Sequence, residues 1–300
     1  VPEAEVISIL GKSGTNDANI LSILAENELK ADFDDEVEKF ADRIPVDIPE
    51  EEFKRRRDMR DEFVFTIDPA DAKDFDDALS IKVLDNGNYY LGVHIADVSH
   101  YVTSDTILDK EAYSRGTSVY LVDRVIPMLP EKLSNGVCSL RPNEDKLTYS
   151  CFMEIDTSGN LINYSVEETA IHSKCRFSYE EAQEVLDGAS HKHKKELKTA
   201  EKLAKTLHEK RFKEGAIDFD NPEPKFVLDA KGVPIDVIIK KRIFAHRLIE
   251  ECMLMANKTV ALHVENLRKE SGKKKAKNLF PFFYRIHDKP DQEKLAGVAA

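Results

Sequence analysis

Through the middle of the chain apolar and polar residues alternate with a period of two, and beyond residue 178 they recur at helical spacing. The alternation predicts strands. "EFVFTI" (62–67) runs into Asp68 and Pro69. "ALSIKVL" (78–84) and "YYLGVHI" (89–95) flank "DNGN", a hairpin turn signal. "TSVYLV" (117–122) reads as a further strand, and "LTYSCFMEI" (147–155) and "LINYSVEETAI" (161–171) flank the turn "DTSGN". Ser178 and Glu181 form a capping-box pattern. Residues 193–213 predict a Lys-rich amphipathic helix that stops near Gly215. The hairpin "KFVLDAKGVPIDVII" follows, then a long helix over about 244–267. Strands first and helices after predict an α+β fold.

Residues 1–50 read as an accessory segment. "VISIL" is a candidate strand, and "DANILSILAENEL" a helix with Asp17 as its cap. "IPVDIPEEE" has two prolines and reads as a linker, so the main domain is expected to start near residue 50. No internal repeat is visible.

Composition adds limits. A chain of 300 residues, 41% hydrophobic and 33% charged, can bury a sizeable core. No apolar run approaches the roughly 18 residues of a membrane span. The first residues have no basic stretch leading into an apolar one, so no signal peptide is expected. They also lack a starting Met, which predicts a processed or excised piece. Cys138, Cys151, Cys175 and Cys252 form no CxxC pair and predict buried thiols in a reducing cytoplasm. The net charge of −12 argues by itself against a nucleic-acid partner. The charge is uneven, however: "FKRRRDMR" (53–60) and "RKESGKKKAK" (268–277) are basic.

The chemistry is concentrated in "TIDPADAKDFDDALS" (66–80), where Asp68, Asp71, Asp74, Asp76 and Asp77 fall within ten positions. Only Lys73 offsets them, and like charges this close are costly without a cation. Hard divalent ions prefer such oxygen ligands, and two of them about 3.5–4 Å apart could clamp a phosphodiester. A solvated acidic loop is the plain alternative. Against it, the aspartates lie between two buried-looking strands, with Phe75 and Ala78 interleaved. A calcium-binding loop lacks its turn glycine and its twelfth-position Glu.

The spacing Asp68-x5-Asp74-x-Asp76-Asp77-Ala, followed by "LGVHIADVSHYV" (91–102), resembles the ribonuclease II / ribonuclease R family, the RNB catalytic domain. "SRGTSVYLVDRVIPMLPEKLSNGVCSL" (114–140), "RLIEECMLMAN" (247–257) and "FFYRIHDKPD" (282–291) agree in the same order. The resemblance implies an RNB domain over 51–300, preceded by the tail of a second cold-shock domain and a linker over 1–50. It implies a processive 3′→5′ hydrolytic exoribonuclease that acts on single-stranded RNA 3′ ends, releases nucleoside 5′-monophosphates and uses two Mg²⁺, with Mn²⁺ as a substitute. A monomeric, cytoplasmic protein is expected. By position, Asp68, Asp74, Asp76 and Asp77 match the metal-binding and catalytic aspartates, and Asp71 has no counterpart. Tyr120 and Phe219 match an aromatic clamp on the 3′ nucleotide. A substrate-end glutamate falls in the pair Glu250–Glu251, and helical geometry selects Glu251. An arginine segment that the family has further on is not found, so a C-terminally truncated piece of reduced activity is expected. The alternative is a non-catalytic RNA-binding scaffold.

Other polar residues have plainer readings. Tyr120 could be a half-buried strand tyrosine. His94, His100 and Asp97 are expected to be hydrogen-bonded core groups. The Lys run 192–210 reads as a solvated helix face, and 268–277 as a candidate phosphate contact.

Overall fold

The structure is a computed structural model. It describes residues 5–217, 223–229, 232–270, 281–286 and Gly297. Two compact units are distinguished, Val1–Met253 and Leu254–Ala300.

The first unit opens with three helices, α1 (Asn16–Glu26), α2 (Asp35–Asp42) and α3 (Glu50–Arg55). A short strand β1 (Arg57–Asp58) leads to β2 (Val64–Asp68), β3 (Asp77–Val83) and β4 (Tyr89–Ala96). Then come α4 (Val98–Tyr101), α5 (Ile107–Arg115), the two-residue strands β5 (Val119–Tyr120) and β6 (Val125–Ile126), and a π-helical turn, Lys132–Val137. β7 (Asp145–Ile155) and β8 (Leu161–Ser178) form the longest hairpin. α6 (Tyr179–Asp187), α7 (Lys194–Lys213), the hairpin β9 (Glu223–Leu228) and β10 (Pro234–Lys240), and α8 (Phe244–Glu270) complete the order.

The main sheet runs β1–β8–β2–β3–β4–β7, and β7 pairs again with β8. The strand β8 makes this possible. Its first part, up to His172, is antiparallel to β7, and its last part, from Ser173, is parallel to β2. The pairing therefore returns on itself and fixes the end of β2, where Asp68 stands beside Ser178.

The central strands β2, β3, β4 and β7 are largely buried on both faces. Phe65, Leu91, Phe152, Met153 and Ile155 are among the fully buried side chains. One core cluster joins Ala78, Ala96, Phe152 and Ile171 of the sheet to Val37 of α2, Leu108 of α5 and Leu133 of the π-helical turn. α6 and α7 pack against β2, β3 and β8. This is the mixed α+β arrangement expected from the element order.

Within the core runs a chain of polar groups. His94 is fully buried between the hydroxyls of Ser150 (2.7 Å) and Ser80 (2.9 Å). Burial and then the charge of Arg57 push its imidazole down to about 3, so it is neutral. Arg56 meets Asp97 at 2.7 Å with both side chains almost wholly buried, and His100 lies 3.8 Å from Glu52. These three polar residues are hydrogen-bonded or ion-paired parts of the scaffold.

Three local expectations are corrected. "VISIL" is not a strand: among the described residues it finds no partner strand, and Val6, Ile7 and Ile9 are exposed. The cap of α1 is Thr15, whose hydroxyl accepts from Ala18 N–H, while Asp17 lies in the first turn. "TSVYLV" shrinks to β5, because only Val119 and Tyr120 find partners, on β6. The capping box at Ser178 and Glu181 is present as expected. In the second unit, the Arg268 guanidinium donates to the Tyr284 hydroxyl at 3.1 Å. Among the described residues no helix is long and apolar enough to cross a membrane.

Candidate functional site

Asp68 ends β2 and Asp77 begins β3, so both are placed by the sheet. Asp74 and Asp76 lie in the loop between them. Phe75, 7% exposed, belongs to the core cluster, and this anchors the middle of the loop.

The electrostatics are unusual for a surface loop. Asp68 is 8% exposed, and among the described residues its Oδ2 has no hydrogen-bond partner. Burial pushes its carboxyl up to about 7. The Thr66 hydroxyl beside it pulls the other way, and the charge of Asp77 adds to the rise. Neither Thr66 Oγ1 nor Asp68 Oδ2 completes a well-formed hydrogen bond. Burial and then Asp76 push Asp77 to about 6. Asp76 keeps exposed surface, but the protein packed around it, and then Asp74, raise its carboxyl too. The carboxylates thus repel one another in partly desolvated surroundings, which favours bringing in a positive charge.

Tyr120 is 67% exposed, so it is not a core tyrosine. Its hydroxyl donates to Asp74 Oδ2 at 3.3 Å, which places an open aromatic ring beside the aspartates. An open groove of about 440 Å³ runs past Pro69, Asp71, Tyr120 and Lys225. Asp71 is turned outward and lies 3.7 Å from the Lys225 ammonium.

The donor set fits a hard cation. It is all carboxylate oxygen, one oxygen is buried without a donor among the described residues, and the nearby charge of Arg176 does not offset the repulsion and burial. It is not a finished cage: among the described residues, no three His, Cys, Asp or Glu side chains are gathered closely enough to hold a metal ion. Substrate phosphates commonly complete the shell around Mg²⁺, so an incomplete protein set suits that ion.

Comparison with known proteins decides the family. Residues 56–300 match the family model described as RNB domain. The chain belongs to the RNB-domain family. It is 45% identical over 296 residues to Ribonuclease R 1 of Lactococcus lactis, covering 97% of this chain and 35% of that protein. It also superposes on Mycoplasma genitalium RNase R in complex with ribose methylated single-stranded RNA. There the TM-score is 0.87 at 32% identity, covering 96% of this chain and 44% of that one. A relative from Arabidopsis thaliana, named Inactive exonuclease DIS3L2, is 36% identical over 98% of this chain and 28% of its own length. The chain spans less than half the length of each of these proteins.

The remaining candidates of the RNB domain fall in different places. Glu251 is 3% exposed. Arg211 of α7 donates to it at 2.6 Å, and His208 lies at 2.9 Å. Its carboxylate is therefore turned to α7 and not offered to solvent. Glu250 pairs with Arg211 and Arg242. Phe219 and residues 271–277 lie outside the described residues. The four cysteines are free.

Sequence reasoning missed Tyr179, Arg176 and Ser139. Tyr179 stacks on His246 at 4.1 Å. Its hydroxyl is pushed to about 12 by burial and then by Asp77 and Asp68, so it borders the cluster. Arg176 and Ser139 hold the loop. Tyr179 and Arg176 lie in none of the quoted family stretches, and Ser139 falls within 114–140 without anything there marking its role, because the pairing of β2 with β8 and the π-helical turn bring them to the site.

Proposed function

We propose that the protein containing this chain is a processive, hydrolytic 3′→5′ exoribonuclease that degrades single-stranded RNA to nucleoside 5′-monophosphates in the cytoplasm. Membership of the RNB family supports the reaction class. The observation that carries the reading is the buried, unpartnered Asp68 Oδ2 among mutually repelling carboxylates.

Asp68, Asp74, Asp76 and Asp77 would hold two Mg²⁺, or Mn²⁺ in their place. When bound, these ions supply Lewis-acid polarisation of the phosphodiester and neutralise charge on its attacking and leaving oxygens. The chain's own groups do the rest. The aspartates fix where that charge is neutralised. The exposed ring of Tyr120 offers a stacking face for the terminal base, worth about 1–3 kcal/mol and tolerant of base identity. Its bond to Asp74 ties the position of that base to the carboxylates.

A non-catalytic RNA-binding scaffold is the second reading, and the inactive Arabidopsis relative favours it. A scaffold, however, has no use for uncompensated carboxylates that destabilise the fold. The test uses the full-length protein with a 3′-labelled and a 3′-blocked oligoribonucleotide, each with Mg²⁺ or with chelator. Stepwise loss of the 3′ label, abolished by chelator and by the block, is expected. Binding without cleavage would establish the scaffold, and internal cleavage would overturn exonuclease action.

A further inference from the structure

The loop from Pro69 to Asp76 carries strong mutual repulsion, yet it has few internal bonds. Ala72 N–H donates to the Pro69 carbonyl at 3.0 Å, a single turn contact. What shapes the loop comes from outside it. Ser139, fully buried just after the π-helical turn, reaches it with one hydroxyl. That hydroxyl donates to the Lys73 carbonyl at 2.7 Å and accepts from Phe75 N–H at 3.0 Å. It therefore bridges the residues on either side of Asp74. Leu140 N–H extends the contact to the Phe75 carbonyl at 2.8 Å, and Ala96 N–H binds the Asp76 carbonyl at 3.0 Å. At the other end Arg176 Nη2 donates to the Pro69 carbonyl (2.7 Å) and the Ala70 carbonyl (2.9 Å).

All of these bonds end on backbone groups of the loop. None uses a carboxylate oxygen of Asp74, Asp76 or Asp77, nor of Asp68. We infer that Ser139 and Arg176 are positioning residues that clamp the aspartate loop by its backbone, so that its carboxylates are held in place without being bonded by the clamp itself. Resting on the function proposed above, this inference assigns the holding of the site to two residues outside the aspartate motif. A serine is suited to the role. Its hydroxyl can donate and accept at once, and it is too small to enter the site. Arg176 is suited because its Nη2 holds two N–H donors in the fixed plane of the guanidinium, one for each of two adjacent carbonyls, a geometry that the freely rotating ammonium of a lysine reproduces poorly.

The clamp differs from a general stability element in what it predicts. Outer partners of a metal-binding set commonly change metal affinity or activity by about 10–100-fold. In the full-length protein, Ser139→Ala should lower kcat and raise the Mg²⁺ concentration for half-maximal activity, each by roughly 10-fold. KM for single-stranded RNA should stay within about 3-fold, because neither substitution alters the exposed Tyr120 ring that offers the stacking face. The Mg²⁺-induced rise in melting temperature should shrink in parallel, which gives a readout that does not need turnover. Arg176→Lys should show the same pattern at smaller size, and it serves as the deciding variant if Ser139→Ala does not fold.

The inference is overturned if kcat per folded molecule and the Mg²⁺ response match wild type in either folded variant, even when melting temperature falls. It is also overturned if KM alone rises. A wild-type protein that neither degrades RNA nor responds to Mg²⁺ overturns the proposed function itself. The wild-type arm and the variant arms thus separate the two failures.

Discussion

Asp68→Asn exchanges a buried carboxylate for a neutral side chain of nearly the same size. In the metal-free fold the Asp68 carboxyl stands at about 7, against an ordinary value of 3.8. Three units at about 1.4 kcal/mol each give roughly 4 kcal/mol as an upper bound on the cost of ionising it in place. The direction follows from linkage. The folded state holds its proton more tightly than the unfolded state, so the cost is absent below the unfolded value. It grows as pH rises from about 4 and is complete above about 7. Asn removes that cost but brings an amide N–H₂ into a pocket beside Thr66 Oγ1, itself without a hydrogen-bond partner among the described residues. Unmet donors there cost about 1–3 kcal/mol. With chelator present, Asp68→Asn should therefore stabilise the protein by about 1–3 kcal/mol at pH 8 and destabilise it slightly at pH 4.5. Urea unfolding followed by circular dichroism at both pH values measures this. With Mg²⁺ the advantage at pH 8 should disappear, because the ion stabilises only the wild-type site. Equal destabilisation at both pH values would refute the reasoning, since it would mean that Asp68 is ordinarily ionised and paired.

Asp76→Asn in the full-length protein should reduce hydrolysis by roughly 10²–10³-fold, read in the 3′-labelled assay, while single-stranded RNA affinity stays near normal. Tyr120→Ala should leave the melting temperature within a degree or two and change the length of the last oligonucleotide product, since the ring is exposed. An unaltered ladder would remove Tyr120 from the site. Asp97→Asn takes one carboxylate from Arg56, which keeps Glu52 at 2.8 Å, and should cost about 1–3 kcal/mol by urea unfolding. Burial raises the Asp97 carboxyl, but the Ser99 hydroxyl and Arg56 outweigh it and hold it below its ordinary value. The wild-type pair is therefore intact above the ordinary carboxylate range and lost as pH falls through the depressed value, an acid-side loss that Asp97→Asn should lack. Gly92→Ala would set a Cβ 2.4 Å from Ser80 Oγ and 2.9 Å from His94 Nε2, so a loss of about 1–3 kcal/mol is expected from thermal melts.

The sequence-readable part of the fold is the part made by local chemistry. The strands of 62–95 and 147–171 alternate, the turns carry Gly at positive φ such as Gly87, and the Ser178 box is built from neighbours. β8 was expected to end near residue 171 but runs on to Ser178, because its last residues are completed by β2 from over a hundred positions upstream. "TSVYLV" had strand propensity but no sheet edge to join, and tertiary context overrode propensity. The four aspartates were legible because they crowd into one loop. Ser139 and Arg176 were not, since a hydroxyl and a guanidinium that bind carbonyls leave no pattern of spacing. Glu251 was half legible. Its place on an apolar helix face demanded a partner, but only the packing of α7 against α8 supplied Arg211 and His208.

The fold handles its buried charges in two opposite ways. Asp97 receives Arg56, and Glu251 receives Arg211, each at hydrogen-bond distance. The Asp68 cluster is treated differently, although the chain has 44 basic side chains and Arg176 lies close enough to lower the Asp68 carboxyl. Arg176 directs its bonds to the Pro69 and Ala70 carbonyls, and among the described residues no cation bonds Asp68 Oδ2. Filling that position with an arginine or lysine would stabilise the empty protein and close the site to any other cation. On the function proposed above, leaving it open costs stability and keeps the carboxylates for a cation that arrives from outside. A fold selected for stability alone would pair Asp68 as it pairs Asp97. The contrast inside one core thus sets a carboxylate that the fold pairs, Asp97, apart from one that it leaves unpaired, Asp68, and the proposed function gives the second its use.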